Sequence, residues 1–93
     1  MSHPMRRNVA AKNAVQLIEA DVEAGFAMVD EARAYFASGQ PQFSSRARHD
    51  AEEIIADIER RLQRLGDSES QPFHSLVTEL RNQIAALERE PET

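Results

Sequence analysis

Cysteine and tryptophan are both absent from this chain of 93 residues. Without cysteine there is no disulfide framework, no thiolate metal site and no thiol nucleophile. Glycine occurs only at Gly25, Gly39 and Gly66, which leaves no glycine-rich loop to cradle a phosphate. The aromatics are Phe26, Tyr35, Phe36, Phe43 and Phe73, spaced as packing residues rather than as a base-stacking platform. No apolar run approaches the ~20 residues that span a bilayer. The basic start, Met1-Ser2-His3-Pro4-Met5-Arg6-Arg7, is not followed by the apolar stretch of a secretory signal, so a cytoplasmic location is expected. The serine-hydrolase elbow, the metalloprotease helix motif and the calcium-binding loop are all missing. The chain is therefore expected to catalyse no reaction, to hold no metal or cofactor, and to have no small-molecule substrate.

What is present is ordinary for a single globular domain: 41% apolar and 29% charged residues. A chain this short buries only roughly 60–65% of its unfolded surface, so each apolar stripe counts. The net charge of −5 is uneven. Residues 1–12 carry Arg6, Arg7 and Lys12 with no acid. Residues 13–43 set Glu19, Asp21, Glu23, Asp30 and Glu31 against Arg33 alone. Residues 44–65 balance, and residues 66–93 are acidic again. An acidic body disfavours the phosphate backbone as a principal partner. Ten of the eleven basic residues are Arg, a bias that fits a GC-rich bacterial genome.

The apolar pattern predicts an all-α, antiparallel, up-down-up bundle of three helices with a long first helix. Helix 1 is expected over about residues 5–37. Val15, Ile18, Val22, Gly25, Val29, Ala32 and Phe36 step by three and four in alternation, the seam of a long helix packing at a shallow angle. A second stripe, Ala10, Ala14, Leu17, Ala24, Met28 and Tyr35, would let the same helix face a second neighbour. Gly25 interrupts the first seam at a helix-propensity cost of about 1 kcal/mol, which implies close approach of a neighbouring backbone or ring. Gly39 is expected to end helix 1 and Pro41 to keep it from resuming. Helix 2 is expected over about residues 45–65, capped by Ser44 or Ser45, with Phe43 as a hydrophobic staple. Its face is Ala47, Ala51, Ile54, Ile55, Ile58, Leu62 and Leu65, and Gly66 closes it. Asp57 and Arg61 are spaced as an i,i+4 pair. Helix 3 is expected over about residues 71–88, opened by a Ser68–Gln71 capping box with Pro72 in its first turn. Its face is Phe73, Leu76, Val77, Leu80, Ile84 and Leu87. Residues 1–4 and 89–93 are expected to fray.

Between Ala32 and Ile55 the chain resembles a single tetratricopeptide-type helical hairpin: Ala32 at a small packing position, Tyr35 beyond it, Gly39 at the turn, then Ala47, Ala51 and Ile54. The turn is longer than in that family, Gly66-Asp67 stand where its repeat has a proline, and there is no second copy. The three-helix pattern as a whole is also similar to microtubule-interacting-and-transport-type bundles and to small uncharacterised bacterial helical proteins. These resemblances imply protein or peptide binding rather than catalysis.

The candidate site residues follow from local anomalies. Arg46, Arg48 and His49 stand at the expected start of helix 2, where the dipole disfavours cations, and form a candidate anion or acidic-peptide contact. His49 and Glu53 have the spacing of two metal ligands but no third. Glu52, Glu53 and His49 would need a sheltered cleft to act as acid and base. Glu19 and Glu23 are a like-charge pair one turn apart. Phe26 falls between the stripes, at the core edge or exposed as an anchor. With helices 2 and 3 near 20 residues each, helix 1 should overhang the bundle, and helix 2 should cover it only to about Val15, with helix 3 reaching no further. That would leave Val9, Ala10 and Ala14 without neighbours, rimmed by Arg6, Arg7 and Lys12. The expected partner surface is thus Arg6, Val9, Ala10, Ala14 and Phe26, with Arg46 and Arg48 as a separate contact. The expected partner is a protein, a second copy included, with no membrane. The alternative is a nucleic-acid-associated regulator using Arg6, Arg7, Lys12, Arg46 and Arg48.

Overall fold

The computed structural model describes the backbone of residues 3–88 and the side chains of residues 13–87. Three helices follow one another: α1 His3–Ala37, α2 Pro41–Leu62 and α3 Asp67–Glu88. The connections, residues 38–40 and 63–66, are short enough that each helix runs antiparallel to the one before it. The result is an all-α, up-down-up bundle with no strand among the described residues. Its long first helix packs against both others, most extensively against α2.

The ends of the helices differ from the expected ones for identifiable reasons. α1 closes at Gly39, whose φ of 76° is open to glycine at little cost. The Gly39 amide donates to the Phe36 carbonyl and the Gln40 amide to the Tyr35 carbonyl at 2.8 Å, the paired bonds of a Schellman closure. Pro41 does not merely block helix 1. It opens α2, at a first-turn position where its missing N–H would have had no partner. The Gln40 carbonyl accepts the Ser44 amide, so Ser44 and Ser45 lie inside α2 and cap nothing. Phe43 is likewise inside the helix, and its ring meets Tyr35 at 5.4 Å between centroids.

The second turn is reassigned in the same way. α2 ends at Leu62 and tightens through bonds from Arg64 to Arg61 and from Leu65 to Leu62. Gly66 does not close α2. Its carbonyl accepts the Glu69 and Ser70 amides, which makes it the entry to α3. Asp67 and Glu69 then occupy the first turn, where the helix dipole favours acids. Ser68 and Gln71 therefore form no capping box, and Pro72 lies inside α3. The ring removes the amide that would have met the carbonyl of Ser68, an exposed residue whose carbonyl water can serve.

The core is the first seam of α1 closed by one face each of α2 and α3. Ile18, Val29, Ala32, Ala51, Ile58 and Leu80 are fully buried, and Val22, Ala47, Ile55, Phe73, Val77, Ile84 and Leu87 nearly so. Several expected core positions are not in it: Val15, Phe36 and Leu65, at the ends of their stripes, are half-buried, and two more lie to the side. Leu76 is 38% exposed, because it lies on the flank of the stripe through Phe73, Val77 and Leu80. Ile54 is only half-buried; Ile55 and Ile58 point inward and Ile54 sits at the rim beside α1. The second stripe of α1 is peripheral: Met28 and Tyr35 are half-buried against the core, Ala24 is exposed and Leu17 is 50% exposed. One seam serves both neighbours, so a second is not needed.

Gly25 fixes how the helices meet. A Cβ built on it would lie 3.1 Å from Leu80 Cδ1 and 3.5 Å from Ile54 Cγ2. The close approach expected at this position is made by aliphatic side chains, not by backbone or a ring. With Gly25 opposite Ile54, Leu62 falls near the level of residue 17, and with Gly25 opposite Leu80, Asp67 falls near residue 12, at about 1.5 Å per residue. α3 thus reaches further along α1 than α2 does. Ala14, expected to lack neighbours, is accordingly half-buried. The α1 backbone still continues helically to His3, so the overhang begins below about residue 12.

Truncating the best-buried aliphatic of α2, Ile58→Ala, is expected to cost about 2–5 kcal/mol, and Ile54→Ala distinctly less; urea titration of both variants measures the difference. Gly25→Leu is expected to destabilise by about 1–3 kcal/mol through overpacking against Leu80, although Leu is the better helix former. A more stable Gly25→Leu variant would place Gly25 outside the contact.

Candidate interaction surface

Two ion pairs tie the helices across their grooves. Arg61 Nε lies 3.1 Å from Asp21 Oδ2, joining α2 to α1, and Arg81 pairs with Glu59, joining α3 to α2. Arg61 was expected to pair with Asp57 along α2. Asp57 instead binds Arg60, one residue earlier, because Arg61 lies on the side of α2 that faces α1. Asp21 Oδ2 is buried and accepts no aligned hydrogen bond among the described residues. The guanidinium contact is charge against charge, with Arg61 the only compensation for that oxygen in view. Neither cross-helix pair was legible in the sequence, since each depends on the level at which two helices meet.

The expected site residues separate into three groups. Arg6, Arg7, Val9, Ala10 and Lys12 stand on the first turns of α1, and their side chains lie outside the described residues. Ala14 and Phe26 are half-buried, and Phe26 packs against the core, the edge position rather than an exposed anchor. Arg46 and Arg48 lie in the second turn of α2, not the first, because α2 begins at Pro41. The dipole conflict that marked them out therefore disappears. Arg46 borders a shallow depression with Glu31, Tyr35, Phe43 and Asp50, where two carboxylates accompany it. With Ile54 level with Gly25, Arg46 lies near residue 33 of α1, about 30 Å along the axis from Lys12. The two basic groups do not form one surface.

The remaining candidates are also dispersed. His49 Nε2 lies 3.3 Å from Glu53 Oε1, and both side chains are about two-thirds exposed or more. Glu52 instead lines an open groove between α2 and α3, with Ile55, Glu59, Arg81 and Ile84. Among the described residues no group of three or more His, Cys, Asp or Glu is placed to hold a metal ion. Glu19 and Glu23 are both exposed. No described helix is long and apolar enough to cross a membrane.

What the sequence reading missed is the outward side of α1. Asn13, Leu17, Ala20, Ala24 and Ala27 are all exposed and recur at steps of four and three, on the side of the helix away from the buried seam. The signal was available as a periodicity, but Leu17 and Ala24 belong to the expected second core stripe and Ala20 and Ala27 to neither stripe.

Arg61→Ala is expected to cost about 1 kcal/mol by leaving the Asp21 oxygen buried without its cation, whereas Arg60→Ala, on the solvated side of α2, should change stability by less than about 0.5 kcal/mol. Urea titration of the two single variants separates these values. The chain matches no family model, no curated protein and no solved structure.

Proposed function

We propose that this protein is a non-enzymatic helical interaction module, an adaptor or small regulatory subunit of the cytoplasm that engages a protein partner with the N-terminal end of α1. The observation that carries this reading is the mismatch in helix length. α1 runs for 35 residues against 22 in each of the other helices. Its first turns continue beyond the level at which α2 ends and α3 begins. A helical segment of this length is marginal in water without packing, so a helix end extending beyond its own bundle is stabilised by whatever covers it. The segment also carries three cations and no acid, Arg6, Arg7 and Lys12, which favours an acidic surface. A nucleic-acid partner is less well supported, because Arg46 and Arg48 stand far from this end and Glu19, Asp21 and Glu23 lie between the two groups.

Deleting residues 1–12 tests the reading. The thermal melt should shift by no more than the equivalent of about 1 kcal/mol, since residues outside the bundle contribute little to it. Capture of a protein partner from native extract, made with the full chain, should be lost. Unchanged capture by the truncated chain would sink the proposal. Duplex DNA binding that weakens steeply with salt would favour the nucleic-acid alternative.

A further inference from the structure

We infer that the surface is met by a second copy of the chain, laid antiparallel along the outward side of α1. The inference rests on the interaction-module reading and narrows it to one partner. α1 carries two lengthwise stripes on opposite sides. The inner one, through Ile18, Val22, Gly25 and Val29, is filled by α2 and α3. The outer one, through Asn13, Leu17, Ala20, Ala24 and Ala27, has the same alternation of three and four and is exposed throughout. Charges stand to its sides rather than on it between residues 13 and 27. Leu17, half exposed at 50%, provides an apolar knob, and the alanines allow a helix to approach closely.

Charge decides both the occupant and its direction. Residues 1–12 carry three cations and no acid, and the next stretch carries the exposed Glu19 and Glu23 without a cation before Arg33, Asp21 being paired with Arg61 of α2. A parallel pair of α1 helices would set cations on cations and acids on acids. An antiparallel pair centred between Asn13 and Leu17 sets the basic segment of each copy over the acidic stretch of the other. Lys12, Glu19 and Glu23 fall on one flank at spacings of seven and four, so this flank is complementary to itself when reversed. The exposed Glu19–Glu23 pair, mildly unfavourable in one chain, gains a basic counterpart. The arrangement closes on itself as a two-fold dimer and covers both overhangs at once. α2 and α3 occupy the opposite side of α1, so neither obstructs it.

Sedimentation equilibrium of the full chain tests this, with protein from about 10 μM to 1 mM and salt at about 0.05 and 0.5 M, a range over which surface ion pairs are strongly screened. The expected result is a concentration-dependent dimer whose dissociation constant rises about tenfold or more at the higher salt. Ala24→Arg, on the exposed stripe and away from the core, should yield a monomer with an unchanged helical circular dichroism spectrum. The double variant Glu19→Lys with Glu23→Lys should also be monomeric. Adding Arg6→Glu, Arg7→Glu and Lys12→Glu to it should restore the dimer, a rescue that damage to the fold could not produce. A wild-type chain that stays monomeric over the whole range overturns the inference, as does a dimer that survives Ala24→Arg. Either result leaves the capture experiment with residues 1–12 deleted to decide separately whether the chain binds another protein.

Discussion

At Gly25 the side chains of Leu80 from α3 and Ile54 from α2 converge on the backbone of α1, and the levels of all three helices follow from this contact. A Cβ would meet Leu80 at 3.1 Å, and Leu80 has nowhere to retreat because it is fully buried. The missing side chain lets the two shorter helices share one seam of the longer one. From that register come the cross-helix pairings, the burial of Ile18 and Ile58, and the point at which α1 leaves its neighbours behind. The helix-propensity penalty of an interior glycine, about 1 kcal/mol, is offset by this close packing.

The polar contacts refine the packing rather than create it. Arg61–Asp21 and Arg81–Glu59 span the grooves on partly exposed side chains, where such pairs contribute little on their own. Their value is positional. A shift of one helix by a turn would strand the buried Asp21 oxygen and separate Arg81 from Glu59. Buried apolar area is less selective about sliding, since a heptad seam looks much the same one repeat along. The two turns work with the pairs. Gly39 closes α1 with two backbone bonds, Pro41 starts α2 almost at once, and the short connections leave little slack.

The same economy of core leaves surface free. One side of α1 satisfies both neighbours, so the other side is unconstrained by folding, and its alanines and Leu17 need another account. The proposed antiparallel pairing gives one that also uses the charge imbalance of α1, basic at its start and acidic through its middle. Folding and association would then draw on two independent stripes of a single helix. Changes on the outer stripe would alter assembly with little effect on the domain.

Much of this architecture was legible in the amino-acid sequence. Apolar spacing of three and four, the absence of alternating strand patterns, and breaks at Gly39 and Gly66 are local properties, and they determined three helices, their order and most of the core. The tight contact at Gly25 was legible because an interior glycine in an apolar seam is hard to explain otherwise. Helix starts were not, because Pro41 and Gly66 serve equally as the stop of one helix or the opening of the next, and the backbone bonds that choose between these belong to the folded turn. The depth of burial of Ile54 and Leu76 was not legible either: each sits one position from the centre of its stripe, and which side is covered depends on where the neighbouring helix lies. Arg61 could have paired with Asp57 within α2 or with Asp21 on α1, and only the tertiary register brought Asp21 to it. The sequence by itself determined which faces are apolar and how the charge is distributed. The tertiary structure decided which apolar face is filled and which remains open, because one seam on a long helix is enough for two shorter partners.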